Sequence, residues 1–247
     1  QVVIHWHADI ENKGILGKLI RPIERAMLRH ADAIVVTTEE YAKASSALKD
    51  FTKKVGVIPI GIADTTKAPK IEVNTLPYIL FVGRLVPYKG LDVLLDALSL
   101  IHGDVELRIV GVGPLLTVLK TQAVRFGLED RVKFIGRVNE VELEELMAGA
   151  AIFCLPSTSR LEAFGVVLLE AMRAGRAIVS TNIPGSGVPW VNSTGINVPV
   201  RDAKALAEAI DQLLLDPAKA ERLGKFARTR FESEFSRGIM SSRFLRL

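Results

Sequence analysis

Two glutamates, Glu162 and Glu170, stand eight residues apart in the stretch PSTSRLEAFGVVLLEAM. A carboxylate can accept hydrogen bonds from two vicinal hydroxyls, so the pair suits clamping of a sugar or a ribose. Phe164, Gly165 and Val166 lie between them, where an apolar helix opens. The N–H groups at such a helix start have no partner inside the helix and favour a bound phosphate. A glycosidase acid/base pair is the competing chemistry. Its carboxyl groups sit roughly 5–9.5 Å apart across a sugar, whereas eight helical residues span about 12 Å. Two carboxylates along one element fit that poorly. The structural alternatives are a solvated loop glutamate at 162 and a surface ion pair at 170. The second is weakened by the apolar run AFGVVLLEAM around Glu170.

A second cluster is FVGRLVPYKG, with Arg84 one residue past an apolar strand and Lys89 just before a helix. Two cations beside a helix N-terminus form an anion site, and two solvated surface cations are the alternative. LRIVGVGP offers Gly111 and Gly113 after another strand, but Leu116 stands where a dinucleotide fingerprint has its third glycine. That run is read as a tight turn, and a dinucleotide-dependent dehydrogenase is disfavoured. No G-x-x-x-x-G-K-[ST] run occurs, which removes the P-loop enzymes. HWHADIE places His5, His7 and Asp9 at the end of a strand. H-x-H with an acid could hold a metal only with a further ligand from elsewhere. No D-x-D run occurs, so the simplest acidic metal–diphosphate clip is absent. His30 and His102, near helix C-termini, receive no role, and Cys154 reads as a small buried hydrophobe.

The elements that must position these residues follow from hydrophobic periodicity. Short apolar strands are predicted at 2–5, 33–36, 55–58, 78–83, 105–111, 131–136, 151–156 and 177–181. Between them run helices at 15–28, 38–48, 91–101, 115–126, 141–147, 166–174 and 203–215, with a last one from Pro217 to about Phe235. Leu16, Leu19, Ile20, Ile23 and Met27 form the apolar face of the first helix; Lys13, Lys18, Arg21, Arg25 and Arg29 form a basic one. Fully apolar strands alternating with amphipathic helices imply a parallel sheet covered on both faces. Right-handed crossovers place the loops after the strands along one edge, where open α/β sheets bind ligands. The loops carrying Gly83-Arg84, Gly111-Val112-Gly113, Gly136-Arg137 and Pro156 to Gly165 therefore share that edge. A polar stretch at 64–77 reads as a linker.

Composition narrows the function classes further. The chain has 247 residues, 49% hydrophobic and 24% charged, with net charge +4 and a mean hydropathy of +0.26. That is globular rather than disordered, and the charge is too diffuse to indicate nucleic acid. No run approaches the roughly 18 apolar residues of a membrane span. The single cysteine excludes an intramolecular disulfide framework and fits a reducing cytoplasm. Gln1 is not an initiator, and QVVIH reads as a strand already in progress, so the sequence is expected to begin inside a longer protein.

Taken together, HWHADI, HADAIVVTTEEY, KVGVIPIGIAD, FVGRLVPYKGLDVLLDAL, LRIVGVGP, RVKFIGRV and SRLEAFGVVLLEAMRAGRAIVST resemble, in order, the family 4 retaining glycosyltransferases of the GT-B fold. The run Glu162 to Glu170 matches the family's E-x7-E signature, and GSGVPWVN followed by TGINVPVRD resembles the subgroup that builds bacterial surface polysaccharides. The resemblance implies an α/β fold with a Rossmann-like C-terminal domain at 78–235 and the last part of an N-terminal, acceptor-side Rossmann-like domain at 1–63. Residues 236–247 are expected as a tail. It implies a hexosyl transfer from GDP-mannose or a UDP-hexose to a glycan or lipid-linked acceptor. The alternatives are a nucleotide-sugar-binding module without turnover and another GT-B enzyme such as an epimerase.

The matching positions inherit expected roles. Arg84 and Lys89 hold the diphosphate and neutralise the leaving nucleotide, so neither metal nor other cofactor is expected. Glu170 binds the ribose hydroxyls and Glu162 those of the donor sugar. Gly83 lines the site, Phe164, Gly165 and Val166 give backbone donors, and Val138 lies beside the base. His7 faces the donor sugar from the N-terminal side. The helix from 218 to 235 is expected to pack back onto the N-terminal domain. The protein is expected in the cytoplasm; the basic face of the first helix suits peripheral contact with the anionic inner face of the plasma membrane, though a solvated amphipathic helix is the commoner explanation of such a pattern.

Overall fold

The computed structural model describes residues 2–7, 9, 14–65 and 76–247, with the side chains of 14–19 left aside. Two parallel sheets organise it. The first is β1 (Val3–Trp6), β2 (Ala33–Val36) and β3 (Val55–Val57), in that order. Helix α1 (Gly14–His30) links β1 to β2, and α2 (Glu39–Ala44) with a 3-10 segment (Lys49–Lys54) links β2 to β3. Leu28, Ala31, Ile34, Val36, Leu48 and Phe51 form its small core.

The second sheet has six strands in the order β6-β5-β4-β7-β8-β9, and every pair is parallel. These are β4 (Tyr78–Val82), β5 (Glu106–Val110), β6 (Val132–Gly136), β7 (Ile152–Leu155), β8 (Ala177–Thr181) and β9 (Ile196–Val198). The crossovers are α3 (Leu91–Leu100), α4 (Leu116–Arg125), α5 (Glu140–Gly149), α6 (Val166–Arg173) and α7 (Val188–Val191). Winding starts at β4, runs outward to β6, then returns to β7 and runs the other way. The topological switch point therefore lies between β4 and β7. That is where an open sheet leaves a crevice outside the carboxyl ends of its strands.

Both faces of this sheet are covered, which explains why its strands read as unbroken apolar runs. One core holds Ile79, Phe81, Leu94, Leu98, Ile109 and Ile210. The other holds Leu80, Phe153, Leu169, Met172, Phe231 and Phe235. After β9, α8 (Ala203–Leu215) begins at Asp202, whose carboxylate caps Ala205 N–H at 2.9 Å. Helix α9 (Pro217–Arg230) follows, then a π-turn (Phe231–Phe235), then α10 (Arg237–Phe244).

Four expectations change. Strand β9 and the short α7 were not anticipated, because three and four residues are too few to show a period. The helix at 38–48 ends at Ala44, where Ser45 turns its hydroxyl to Asp9 at 2.6 Å. The helix packed on the N-terminal sheet is α10; the segment 218–235 packs on the six-stranded sheet and meets the N-terminal part through Arg228–Asp64 and Phe235–Ile62. The π-turn sinks Phe231 and Phe235 into the six-stranded sheet's core and breaks the helix. The chain then crosses: Ile62 N–H donates to Phe235 O at 3.0 Å, Arg237 N–H to Ile62 O at 2.8 Å, and Phe244 stacks edge-on against His5 at 5.6 Å. Finally, Ile23 and Met27 do not lie on a buried face; they are 62% and 56% exposed, and Leu28 enters the core instead. Lys13, and the side chains of Leu16, Lys18 and Leu19, lie outside the described residues, as does the expected linker apart from its ends.

Candidate active site

The crevice at the switch point opens into a cavity of about 460 Å³. Lys89 and Gly83 reach it from the loop after β4; Glu162, Phe164, Gly165, Val166 and Glu170 reach it from the loop after β7 and from α6. His7 and Ile60 line it from the N-terminal side. Eight of the ten residues singled out from the sequence are thus brought together. The other two sit apart from the lining. Arg84, next to Gly83 in the chain, has an exposed side chain and, among the described residues, no carboxylate partner. Val138 packs at the edge of the second core.

Lys89 and Glu162 are each only 8% exposed and form the central pair, Nζ to Oε2 at 2.5 Å. Ser157 donates its hydroxyl to the same Oε2 at 2.9 Å. Among the described residues Oε1 accepts nothing, which leaves one carboxylate oxygen for a ligand hydroxyl. Two buried charges in contact are tolerated because each neutralises the other, and Ser157 adds a hydrogen bond to the carboxylate. Local backbone fixes this geometry. Pro87–Lys89 is a single 3-10 turn ending at Gly90, which has φ +68°. A Cβ on Gly90 would stand 2.1 Å from Pro156 O, so only glycine lets the lysine turn seat against the β7 loop. Thr158 N–H then donates to Tyr88 O at 2.7 Å and joins the two loops.

Glu170 lies on the cavity side of α6. Burial pushes its carboxyl above the ordinary range; Arg173 opposes that and Glu140 adds to it. Among the described residues it has no hydrogen-bond or ion-pair partner, so it is a desolvated acceptor awaiting a donor. Helix α6 begins right after Gly165, and its first-turn N–H groups add an anion-favouring end at the cavity wall.

The remaining candidates resolve as follows. Gly111-Val112-Gly113 is a turn that stitches neighbouring loops: Gly111 N–H donates to Gly136 O at 2.7 Å and Leu85 N–H to Val112 O at 3.1 Å. His5 and His7 lie with ring centroids 4.1 Å apart, and desolvation followed by His7 holds His5 below its ordinary value. Asp9 turns away from both toward Trp6, Ser45 and Arg160. Among the described residues no group of three or more His, Cys, Asp or Glu side chains could hold a metal ion. Cys154 is fully buried in β7, and burial pushes its thiol up. Ser157, Ile60 and Leu143 were missed from the sequence. Ser157 had one signal, a hydroxyl just past a strand; the other two are apolar and look like core.

Residues 63–230 match the family described as Glycosyl transferases group 1. The D-rhamnosyltransferase WbpZ of Pseudomonas aeruginosa is 35% identical over 246 residues, covering 95% of this chain and 63% of that protein. The O-antigen chain mannosyltransferase C of Escherichia coli is 33% identical over 257 residues, covering 100% of this chain and 68% of that one. Among solved structures, HepE of Anabaena in complex with UDP superposes with a TM-score of 0.87 at 22% identity, covering 99% of this chain and 71% of that one. WaaG, a glycosyltransferase involved in lipopolysaccharide biosynthesis, gives 0.74 at 20%, covering 97% and 73%. The chain belongs to the group 1 glycosyl transferases, and its fold is of the GT-B type. It spans roughly two thirds of the length of these curated relatives.

Proposed function

We propose that this chain binds a nucleoside-diphosphate sugar in the switch-point cavity and moves its hexose to a glycan or lipid-linked acceptor with retention at the anomeric carbon. The observation that carries the reading is the convergence of Lys89, Glu162 and Glu170 on one cavity at the carboxyl edge of the six-stranded sheet. In this reading Glu170 accepts the ribose hydroxyls. Lys89, Arg84 and the start of α6 hold the diphosphate, where negative charge grows as the sugar leaves. Fixed cations that stabilise developing charge without reorganising are the largest catalytic term available to such a site. Glu162 holds donor-sugar hydroxyls with its open Oε1. His7 closes the sugar end from the N-terminal side, and Val138 borders the base.

GDP-mannose is the donor we favour. Support comes from relatives named as GDP-mannose-dependent mannosyltransferases in Corynebacterium glutamicum, 31% identical, and Mycobacterium tuberculosis, 36% identical, besides the O-antigen mannosyltransferase. The anchoring groups are all protein side chains and N–H donors, so the proposed site works without a metal. No helix among the described residues is long and apolar enough to cross a membrane. We place the protein in the cytoplasm, with α1 resting on the anionic inner face of the plasma membrane. Exposed Ile23 and Met27 beside Arg21, Arg25 and Arg29 support that contact.

Incubation with GDP-mannose or UDP-glucose and a panel of saccharide acceptors tests the reading. A new glycosidic product with the donor's anomeric configuration is expected. Donor binding with no product from any acceptor would confine the chain to donor capture, and inverted product would overturn retention.

A further inference from the structure

One ion pair ties the loop that carries His7 to the loop that carries Glu162. Asp9 stands two residues after His7 and Arg160 two residues before Glu162. Arg160 Nη2 meets Asp9 Oδ2 at 3.2 Å, with the side chains 20% and 7% exposed. Among the described residues, the other hydrogen bonds of Asp9 run to the N-terminal side. Trp6 Nε1 and Ser45 Oγ both donate to Oδ1, at 2.9 and 2.6 Å, and the Asp9 N–H donates to the Tyr41 hydroxyl at 2.6 Å. Arg160 is fixed just as firmly on the other side. Its Nε donates to Gly185 O at 3.1 Å, while its guanidinium lies 4.9 Å from the Tyr41 ring centroid, a second contact across the seam. The bodies touch closely here: a Cβ on Gly185, in the loop after β8, would stand 2.7 Å from Ala44 Cβ at the end of α2. Ser186 Oγ in the same loop donates to Glu162 O at 2.5 Å, so this seam continues directly into the backbone of the catalytic loop.

We infer that Arg160 is a positioning residue for the sugar end of the donor site, acting through Asp9. This rests on the donor-site reading above. The nucleotide end is built by Lys89, Glu170 and the start of α6, all on the six-stranded sheet. The sugar end needs Glu162 from that sheet and His7 from the other, and the Asp9–Arg160 pair sets the distance between them. Loss of the guanidinium would take the cationic partner from Oδ2 of a mostly desolvated carboxylate and release the register of the two loops. A misplacement of about 1 Å at such a seam is enough to forfeit the benefit of orientation.

The test is calorimetric titration of the whole chain and its Arg160→Gln and Arg160→Lys variants. The ligands are GDP and GDP-mannose, with UDP and UDP-glucose as the second pair. Arg160→Gln should leave nucleoside diphosphate affinity within about twofold and weaken nucleotide-sugar affinity by about tenfold or more. Arg160→Lys, which keeps the charge, should recover most of that loss. Equal loss for both ligands, no loss for either, or a lysine variant indistinguishable from glutamine would overturn the inference. A wild-type chain that binds none of the four ligands would overturn the donor-site reading itself, and the inference with it.

Discussion

Lys89 and Glu162 are the residues whose chemistry is most exposed to test, because each is the other's only charge partner given among the described residues. Lys89→Ala leaves the Glu162 carboxylate buried with a single hydroxyl donor, and breaking such a pair costs about 3–5 kcal/mol. The melting temperature should fall and nucleoside-diphosphate affinity should drop at least about tenfold. Lys89→Met combined with Glu162→Gln should recover most of the melting temperature without recovering affinity, which separates the pair's structural cost from its binding role. Glu170 carries the opposite bargain. Burial raises its carboxyl in the folded chain, so the folded state binds protons more readily than the unfolded one above the ordinary value of 4.5. Stability therefore falls as pH rises through that window and stays reduced at neutral pH. Glu170→Gln should melt higher than wild type at pH 7, converge with it near pH 4, and lose nucleotide affinity. Thermal melts across pH read the first two, and titration reads the third. The residue types were legible in the sequence because strand-end cations and the E-x7-E spacing are local signals. The direct Lys89–Glu162 contact spans 73 positions and was not.

At the scale of elements, the loops after β4 and β7 matter because the switch point brings them side by side. Alternating apolar strands and amphipathic helices announced the parallel sheet, and Gly127 and Gly175 marked the ends of α4 and α6. What escaped were elements whose cause is tertiary. Strand β9 forms because β8 presents a free edge, and α10 exists because the π-turn at Phe231–Phe235 redirects the chain. Phe235 links that turn to the site: it is fully buried and packs edge-on against Trp190 at 5.6 Å and against Phe164 at 6.2 Å, a residue of the cavity wall. Phe235→Ala should cost about 3–5 kcal/mol of stability, the range for a buried aromatic truncation. Below its lowered melting temperature it should still bind nucleotide, since no polar ligand group is removed. Denaturant unfolding alongside titration checks both halves of that expectation.

For the molecule as a whole, the two sheets contribute unequally. The six-stranded sheet carries Lys89, Glu162 and Glu170, while the three-stranded sheet supplies His7 and Ile60 and is joined through Asp9–Arg160, Arg228–Asp64 and the Ile62–Ser236 crossing. Sequence patterning could not show how the two sheets meet, because that seam is made of side chains far apart in the chain. The central claim is that the cavity between the loops after β4 and β7 seats a nucleoside diphosphate on protein groups alone. Calorimetric titration of the chain with GDP and with UDP, in the presence of a chelator, tests it most directly. The account predicts one saturable site for at least one of the two, abolished in Lys89→Ala and in Glu170→Ala with the fold retained. Binding of neither nucleotide, or affinity unchanged in both variants, would contradict it.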